Sequence, residues 1–291
     1  MNPRLVDFHM HTTHSDGTYS PEELMRECKE KNLSCVSVTD HDTMSSFEAC
    51  QSEAQKLGLE LIPGIEISAV FEPGTMHILG YFLDRNHPEL KAAIEEIQQI
   101  RRERNSRMIE KLNEAGIDIT LEEVMKEALG DMDAGIKQIG RPHFAKILVK
   151  KRVVKDSQEA FQKYLGKGCT AYLDKQKLTP EEAIDLINRA GGIASIAHPK
   201  QMKVDDAAME KEIKKLADRG LGGMEVYNSC QDIEENAVYL KMAKRYNLVP
   251  TGGSDFHGNA KPGVKLGFAG AGIQMGYEMV DALREKIARR N

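Results

Sequence analysis

Alternation between short apolar runs and helical patterns is the feature that most constrains the fold of this chain. Runs of strand type, most of them followed by a helical pattern, recur near both ends of the sequence. This order favours an α/β fold with a parallel sheet closed into a distorted, TIM-like (β/α)7 barrel over an open sheet. The seven predicted strands are residues 5–8, 35–38, 61–68, 76–83, 193–197, 223–227 and 248–251.

The strand signals stop in the middle of the chain. Residues 87–173 carry long, charged helical patterns, including residues 89–115 and 141–151, and the alternation resumes afterwards. A length of 291 residues allows either one large domain with an insertion or two modest domains. The pattern predicts a discontinuous barrel domain, residues 1–86 and 174–291, with a helical insertion domain at residues 87–173.

Composition excludes several classes of protein. Apolar residues at 41% and charged residues at 29% are ordinary globular values. No apolar run approaches the ~20 residues of a membrane span, and the N-terminal residues lack the pattern of a signal peptide, so we expect a cytoplasmic protein without a membrane partner. Five cysteines without a C-x-x-C pair fit reduced thiols. A net charge of −5 argues against binding long duplex nucleic acid but permits a small anionic substrate.

Histidines and carboxylates lie at six of the seven predicted strand ends. Residues two apart after a strand, such as His9 and His11, point to the same side. Each residue alone could cap a helix or form an ordinary ion pair, but burying the whole set without cations would be costly. The predicted metal ligands are His9, His11, Asp16, His41, Glu66, His77, His198, Asp255 and His257.

The composition of this set indicates which metals to expect. Mixed nitrogen and oxygen ligands without cysteine suit Mn, Fe or Zn, and nine ligands exceed the needs of one ion. We therefore predict two or three divalent ions, with Glu66 as a bridging carboxylate. Clustered cations lower the pKa of a shared water, which would supply a hydroxide nucleophile without Ser or Cys.

The motifs around these ligands resemble those of the PHP (polymerase and histidinol phosphatase) family. The resemblance implies a distorted seven-stranded barrel with a trinuclear site. One ion would be held by His9, His11, Glu66 and Asp255, a second by Glu66, His77 and His198, and a third by Asp16, His41 and His257. The motifs are Asp7-Phe8-His9-Met10-His11, Ser15-Asp16-Gly17-Thr18, Thr39-Asp40-His41-Asp42, Gly64-Ile65-Glu66, Ala197-His198-Pro199 and Gly253-Ser254-Asp255-Phe256-His257.

A further motif in the insertion, Gly140-Arg141-Pro142-His143, resembles the branch that includes nucleoside 3′,5′-bisphosphate phosphatases, some also described as 5′ exonucleases of short RNA. The resemblance implies that Arg141 and His143 contact a phosphate and assist catalysis. Arginine offers phosphate a bidentate fork and a helix N-terminus favours an anion, although Arg141 could instead only cap the helix. Further candidates for substrate contact are His14, Asn228 and Ser229.

These features lead to the hypothesis of a metal-dependent phosphoesterase. Its substrate would be a phosphomonoester of a small nucleotide, either a nucleoside 3′,5′-bisphosphate or a nucleoside monophosphate, attacked by a metal-bridging hydroxide. A 5′-3′ exonuclease acting on short oligoribonucleotides could use the same site. Histidinol phosphate hydrolysis is disfavoured by the insertion motif, and a non-enzymatic metal-binding domain by the complete ligand set.

Overall fold

The structure, a computed structural model, describes residues 4–129, 139–173 and 178–290. Within these residues the strands form a four-stranded sheet of order β3-β2-β1-β9 and a five-stranded sheet of order β4-β5-β6-β7-β8. The strands are β1 (Leu5–Asp7), β2 (Leu33–Val36), β3 (Glu60–Leu61), β4 (Gly64–Ala69), β5 (Met76–Tyr81), β6 (Ile193–Ile196), β7 (Gly223–Asn228), β8 (Val249–Gly253) and β9 (Met275–Gly276).

The predicted third strand, residues 61–68, is two strands in different sheets. Strand β3 pairs with β2, whereas β4 pairs with β5. Pro63 lies between them, and proline has no N–H to donate to a continuous ladder. Strand β9, which the sequence did not predict, has only two residues and pairs antiparallel with β1, so it is too short to give a periodic signal.

The strand directions differ from those of an all-parallel barrel. Strands β1, β2 and β3 are parallel, as are β6, β7 and β8, but β5 runs antiparallel to both β4 and β6. The connection from β4 to β5 is short, and a short connection can join only antiparallel neighbours. The fold is α/β, and no closed barrel is detected in the described residues. Single backbone bridges, Met10–Phe256 and His41–Glu66, link segments of the first sheet to segments of the second.

Local sequence signals fix several helix starts. Ser20 accepts a hydrogen bond from the Glu23 N–H (3.2 Å) while the Glu23 carboxylate accepts one from the Ser20 N–H (2.8 Å). Thr179 and Asp232 form the same reciprocal box. The helices are α1 (Pro21–Glu30), α2 (Phe47–Leu57), α3 (Pro88–Glu114), α4 (Leu121–Leu129), α5 (Arg141–Lys150), α6 (Ser157–Ala160), α7 (Pro180–Arg189), α8 (Asp206–Asp218), α9 (Ile233–Arg245) and α10 (Glu278–Ala288).

The chain divides into two compact units. Unit 1 is Met1–Ala93 with Lys177–Asn291, and unit 2 is Ile94–Gln176. The sequence placed this boundary at residue 87, next to the start of α3, whereas the division falls inside that helix. None of the helices in the described ranges is both long enough and apolar enough to span a bilayer.

Each unit has its own apolar core. In unit 1 the rings of Phe8 and Tyr81 lie 5.3 Å apart in the core, and the buried Tyr81 hydroxyl donates to the Phe8 carbonyl at 3.1 Å. A second cluster of unit 1 packs α1 and α2 on the first sheet. The core of unit 2 surrounds the fully buried Phe144 on α5 and includes Met108 and Leu112 from α3.

Candidate metal centre

The ends of β1 and β8 are joined by backbone hydrogen bonds. The Asp255 N–H donates to the His9 carbonyl at 2.7 Å, and the His11 N–H donates to the Phe256 carbonyl at 2.9 Å. Asp255 has a left-handed φ of 56°, which is unfavourable for a residue other than glycine and is often found at functional sites. These hydrogen bonds place His9 and His11 beside Asp255, with His257 two residues further along the chain.

Glu66 on β4 is the centre of the site, because five imidazoles face its carboxylate. Three ring nitrogens approach Oε2: His9 Nε2 at 3.3 Å, His11 Nε2 at 3.2 Å and His41 Nδ1 at 3.0 Å. Two more approach Oε1, His77 Nδ1 at 2.8 Å and His198 Nε2 at 3.0 Å. The side chain is fully buried, so a single carboxylate links histidines from four different strand ends.

Asp16 gathers a second group at the exposed side of the site. Its carboxylate lies 3.2 Å from His257 Nε2, 3.7 Å from His11 Nδ1 and 3.8 Å from His41 Nε2. Asp255 Oδ1 lies 3.4 Å from His11 Nε2. The His11 ring therefore faces three carboxylates, those of Asp16, Asp255 and Glu66.

Several buried polar atoms of the cluster lack a hydrogen bond. Despite the short approaches to Glu66, no hydrogen bond is formed by four of the facing atoms, nor by His198 Nδ1, within the described residues. The four are His9 Nε2, His11 Nε2, His41 Nδ1 and Glu66 Oε2. Such atoms are costly to bury unless another ligand satisfies them. Imidazole nitrogens and carboxylate oxygens of this kind fit divalent Mn, Fe or Zn.

The electrostatics of the cluster agree with cation binding. Burial opposes ionisation of Glu66, but attraction to the imidazoles, led by His41 and His9, holds the pKa of its carboxyl well below the usual value. Burial also opposes the charged form of His11, yet Asp255 and Glu66 outweigh it and raise the pKa of His11 to about 10. The buried carboxylates are thus stabilised by nearby positive charge, which divalent cations can provide in place of protons.

All nine predicted ligands lie in this cluster, in four overlapping groups that could each hold an ion. The grouping differs in part from the one that the family resemblance implied, because His11 joins Asp16 and because His41 also joins Glu66 and His77. The groups are His11, Asp16, His41 and His257; His9, Glu66 and His198; His9, His11 and Asp255; and His41, Glu66 and His77.

Glu225 on β7 contacts the cluster, although the sequence patterns did not predict it as a site residue. Its buried carboxylate accepts from His9 Nδ1 at 2.8 Å, from the His198 backbone N–H at 2.6 Å and from Asn228 Nδ2 at 3.0 Å. A carboxylate on the second nitrogen of a ligand histidine fixes its tautomer and orientation. An acidic residue in the middle of an apolar strand was the available signal.

Asp40 organises the loop that carries Asp16. Its buried carboxylate accepts from the Thr12 N–H at 2.8 Å, the Thr12 hydroxyl at 2.7 Å, the Ser15 hydroxyl at 2.6 Å and the Ser46 hydroxyl at 2.5 Å. Four donors on one carboxylate fix the loop after β1 against the loop after β2.

The substrate-contact candidates of unit 1 occupy different environments. His14 Nδ1 hydrogen-bonds the Ser45 hydroxyl at 2.7 Å. Asn228 is buried and uses its side chain to support Glu225 and the Cys230 N–H (3.0 Å), whereas Ser229 is half-buried. The contacts of Asn228 make it part of the support beneath the histidines.

Arg141 and His143 begin helix α5 in unit 2. Arg141 Nη1 donates to the Leu165 carbonyl at 3.2 Å, and its guanidinium lies 5.5 Å from the Tyr172 ring centre and 5.9 Å from that of Phe161. His143 Nδ1 accepts the Gly140 N–H at 3.0 Å, which puts the proton of a neutral ring on Nε2. Both side chains are therefore oriented within unit 2.

The chain is similar to known proteins along most of its length. The model of the PHP domain family matches residues 7–226. The 5′-3′ exoribonuclease Rnm of Salmonella typhimurium is 33% identical over 265 residues, covering 90% of this chain and 88% of that protein. The 3′,5′-nucleoside bisphosphate phosphatase of Chromobacterium violaceum is 30% identical over 262 residues, covering 90% of each.

The fold has a counterpart among solved structures. A crystal structure from Bifidobacterium adolescentis, assigned as a metal-dependent phosphoesterase, has a TM-score of 0.82 and 28% identity to this chain. The match covers 97% of this chain and 96% of the other. The similarity therefore includes both compact units.

Proposed function

Because the chain belongs to the PHP domain family and is a metal-dependent phosphoesterase, we propose that it hydrolyses a phosphomonoester of a small nucleotide. The substrate is a nucleoside 3′,5′-bisphosphate or a nucleoside monophosphate. The observation that carries this proposal is the approach of five imidazoles to the single carboxylate of Glu66. Such a site has the ligands for clustered cations, which suit an anionic ester.

The residues of the cluster would hold two or three divalent ions, Mn, Fe or Zn. Bound ions would neutralise phosphoryl charge and make a nucleophilic water available near neutral pH. Glu66 shares its two oxygens between separate groups of histidines, and Glu225 holds the ring of His9 so that Nε2 faces Glu66. These fixed orientations keep the ligand atoms in place before substrate binds.

Arg141 and His143 are proposed to contact the substrate. The Arg141 guanidinium has five N–H donors, of which one bonds Leu165, and its aromatic neighbours restrict its orientation. His143 with its proton on Nε2 can donate a hydrogen bond to a phosphoryl oxygen. Together they would recognise the phosphate and offset charge that develops during the reaction.

A 5′-3′ exonuclease acting on short RNA is the second candidate, and the 33% identity to the exoribonuclease Rnm favours it. Both activities require the same metal cluster and differ in the group that leaves phosphorus. We also propose that the two sheets complete a distorted seven-stranded barrel. The bridges Met10–Phe256 and His41–Glu66 between the sheets support that architecture.

A direct comparison of substrates tests the proposal. Phosphate release by Mn-loaded protein would be measured from adenosine 3′,5′-bisphosphate, AMP and histidinol phosphate, beside trimming of a short 5′-phosphorylated RNA. We expect the highest kcat/KM with the bisphosphate. Rapid RNA trimming with little bisphosphate turnover would favour the exonuclease, and no turnover of any substrate with Mn, Fe or Zn would favour a metal-binding domain without catalysis.

A further inference from the structure

Lys261 lies beside the metal-ligand cluster, at a position to which the sequence motifs assign no role. Its ammonium pairs with Oδ2 of Asp255, and the carboxylates of Glu66 and Asp16 also attract its charge. The other oxygen of Asp255, Oδ1, faces His11 Nε2 at 3.4 Å. The Asp255 carboxylate is thus shared, with one oxygen toward the imidazoles and one toward Lys261.

The segment that carries Lys261 is fixed to the loop after β1. The Thr18 N–H donates to the His257 carbonyl at 3.2 Å, and the Asn259 N–H donates to the Thr18 hydroxyl at 2.9 Å. Gly258 has a φ of +62°, and a Cβ there would lie 2.2 Å from the Thr18 hydroxyl, so the turn requires glycine. The Lys261 N–H closes the turn on the Gly258 carbonyl at 3.3 Å.

A lysine at this point is unfavourable for cations alone. Like charges repel one another appreciably at the effective dielectric of a protein surface, so an ammonium beside the cluster would weaken the binding of divalent ions. A bound anion would be attracted by the ions and by the ammonium together. The lysine therefore favours the state in which both cations and an anion are bound.

The ammonium also has donors to offer. It carries three N–H groups, and the structure shows one side-chain partner for it among the described residues, Asp255. The side chain is 41% exposed, so an incoming ligand can reach it. We propose that Lys261 holds Oδ2 of Asp255 and donates a hydrogen bond to the phosphoryl group of the substrate. This inference rests on the proposed function, because it takes a phosphate ester as the ligand.

The test is the binding of inorganic phosphate to Mn-loaded protein, measured by calorimetry together with metal content. Lys261→Met and Lys261→Gln should weaken phosphate binding about tenfold, the usual effect of losing a charged hydrogen bond, with metal content unchanged. Lys261→Arg should restore most of the affinity. The matched control is Lys265→Met, which removes the same charge from an exposed position on the same segment and should stay within about twofold of wild type.

Two results would overturn the inference. Equal phosphate affinity in wild type, Lys261→Met and Lys261→Gln would exclude the contact. Loss of metal in both variants would instead make Lys261 a positioning residue for Asp255. Since phosphate binding needs no turnover, a wild-type protein that binds phosphate through Lys261 yet hydrolyses none of the four substrates would refute the proposed function and leave this contact standing.

Discussion

The metal-ligand cluster of unit 1 and the core of unit 2 are opposite kinds of protein interior. In the cluster, polar groups such as His9, His11 and Glu66 are fully buried, and several of their atoms lack hydrogen bonds. The core of unit 2 is apolar around Phe144, and ion pairs such as Lys163 with Glu159 at 2.6 Å lie outside that core. One interior is built from groups that can bind cations, and the other mainly from apolar side chains.

This contrast separates binding from stability. Buried carboxylates and imidazoles cost folding free energy unless cations compensate them, whereas each buried apolar side chain contributes about 1.5–3 kcal/mol. Substitutions in the cluster should therefore change metal content first, and substitutions in the core of unit 2 should change folding first.

The largest effect is expected for Glu66→Gln. The amide keeps the shape of the side chain but removes the charge that five imidazoles face. We expect loss of bound metal and a fall in kcat/KM of about 10³-fold or more, as is common when one member of a catalytic unit is removed. Metal analysis and phosphate release measure both quantities.

The matched control for this change is Glu285→Gln, which alters an exposed carboxylate on helix α10 that pairs with Arg289 in the same unit. Surface pairs of this type contribute little, so metal content and activity should remain near wild type. Full metal content in Glu66→Gln would show that the cluster does not depend on its central carboxylate.

Phe144→Ala should have the next largest effect, now on folding. Truncation of a fully buried phenylalanine costs about 3–5 kcal/mol, because it removes apolar contacts and leaves a cavity. The change should appear as faster hydrogen exchange of the α5 amides, while the metal content of the folded protein stays constant. Loss of metal in this variant would mean that the two interiors are coupled.

Metal removal should have the opposite effect to Phe144→Ala: it should destabilise the cluster of unit 1 and leave the core of unit 2 unchanged. A ligand present at 100 times its Kd stabilises the folded protein by about 2.7 kcal/mol, and chelation abolishes that contribution. In exchange measurements with and without Mn, protection of the amides of His11 and Glu66 should fall on chelation. The amides of α5 in unit 2 serve as the internal reference, and an equal loss there would contradict the separation of the two interiors.

Glu225→Gln should weaken metal binding by about 10–100-fold, the usual effect of removing a carboxylate that orients a ligand histidine. The His9 Nδ1 and the His198 N–H each need an acceptor, and the carboxylate gives each of them one oxygen. An amide has only one oxygen, so its NH2 group would face one of these two donors. Titration of the metal-free protein with Mn measures the affinity. Glu234→Gln, at an exposed position on α9, is the control and should bind Mn as wild type does.

Much of the α/β fold could be predicted because its signals are local. Capping boxes at Ser20 and Thr179 and apolar runs such as Ile193–Ile196 depend on neighbouring residues. The break at Pro63 and the antiparallel direction of β5 depend on which strands meet in space, and periodicity does not report this. A two-residue strand such as β9 has no period to detect.

The nine candidate ligands could be found because strand ends bring polar residues together, and all nine lie in one cluster. Their supporting residues were harder to find. Glu225 lies inside a strand, where alternation predicts only a buried position, and its role depends on the approach of His9 from β1. Lys261 follows a short turn whose geometry depends on Thr18, far away in sequence.

Arg141→Ala has the smallest expected effect. It tests the contrast between the two units most directly, because a role for Arg141 would give unit 2 a part in substrate recognition. Loss of the guanidinium should raise KM for adenosine 3′,5′-bisphosphate about tenfold, equivalent to one charged hydrogen bond, with metal content unchanged. Arg141→Lys keeps the charge without the planar fork, so its KM should lie between the KM values of wild type and Arg141→Ala. Lys146→Ala removes one positive charge from an exposed position on the same helix. Equal KM values for Arg141→Ala and Lys146→Ala would reduce Arg141 to a packing partner of Phe161 and Tyr172, and phosphate recognition would then lie with unit 1.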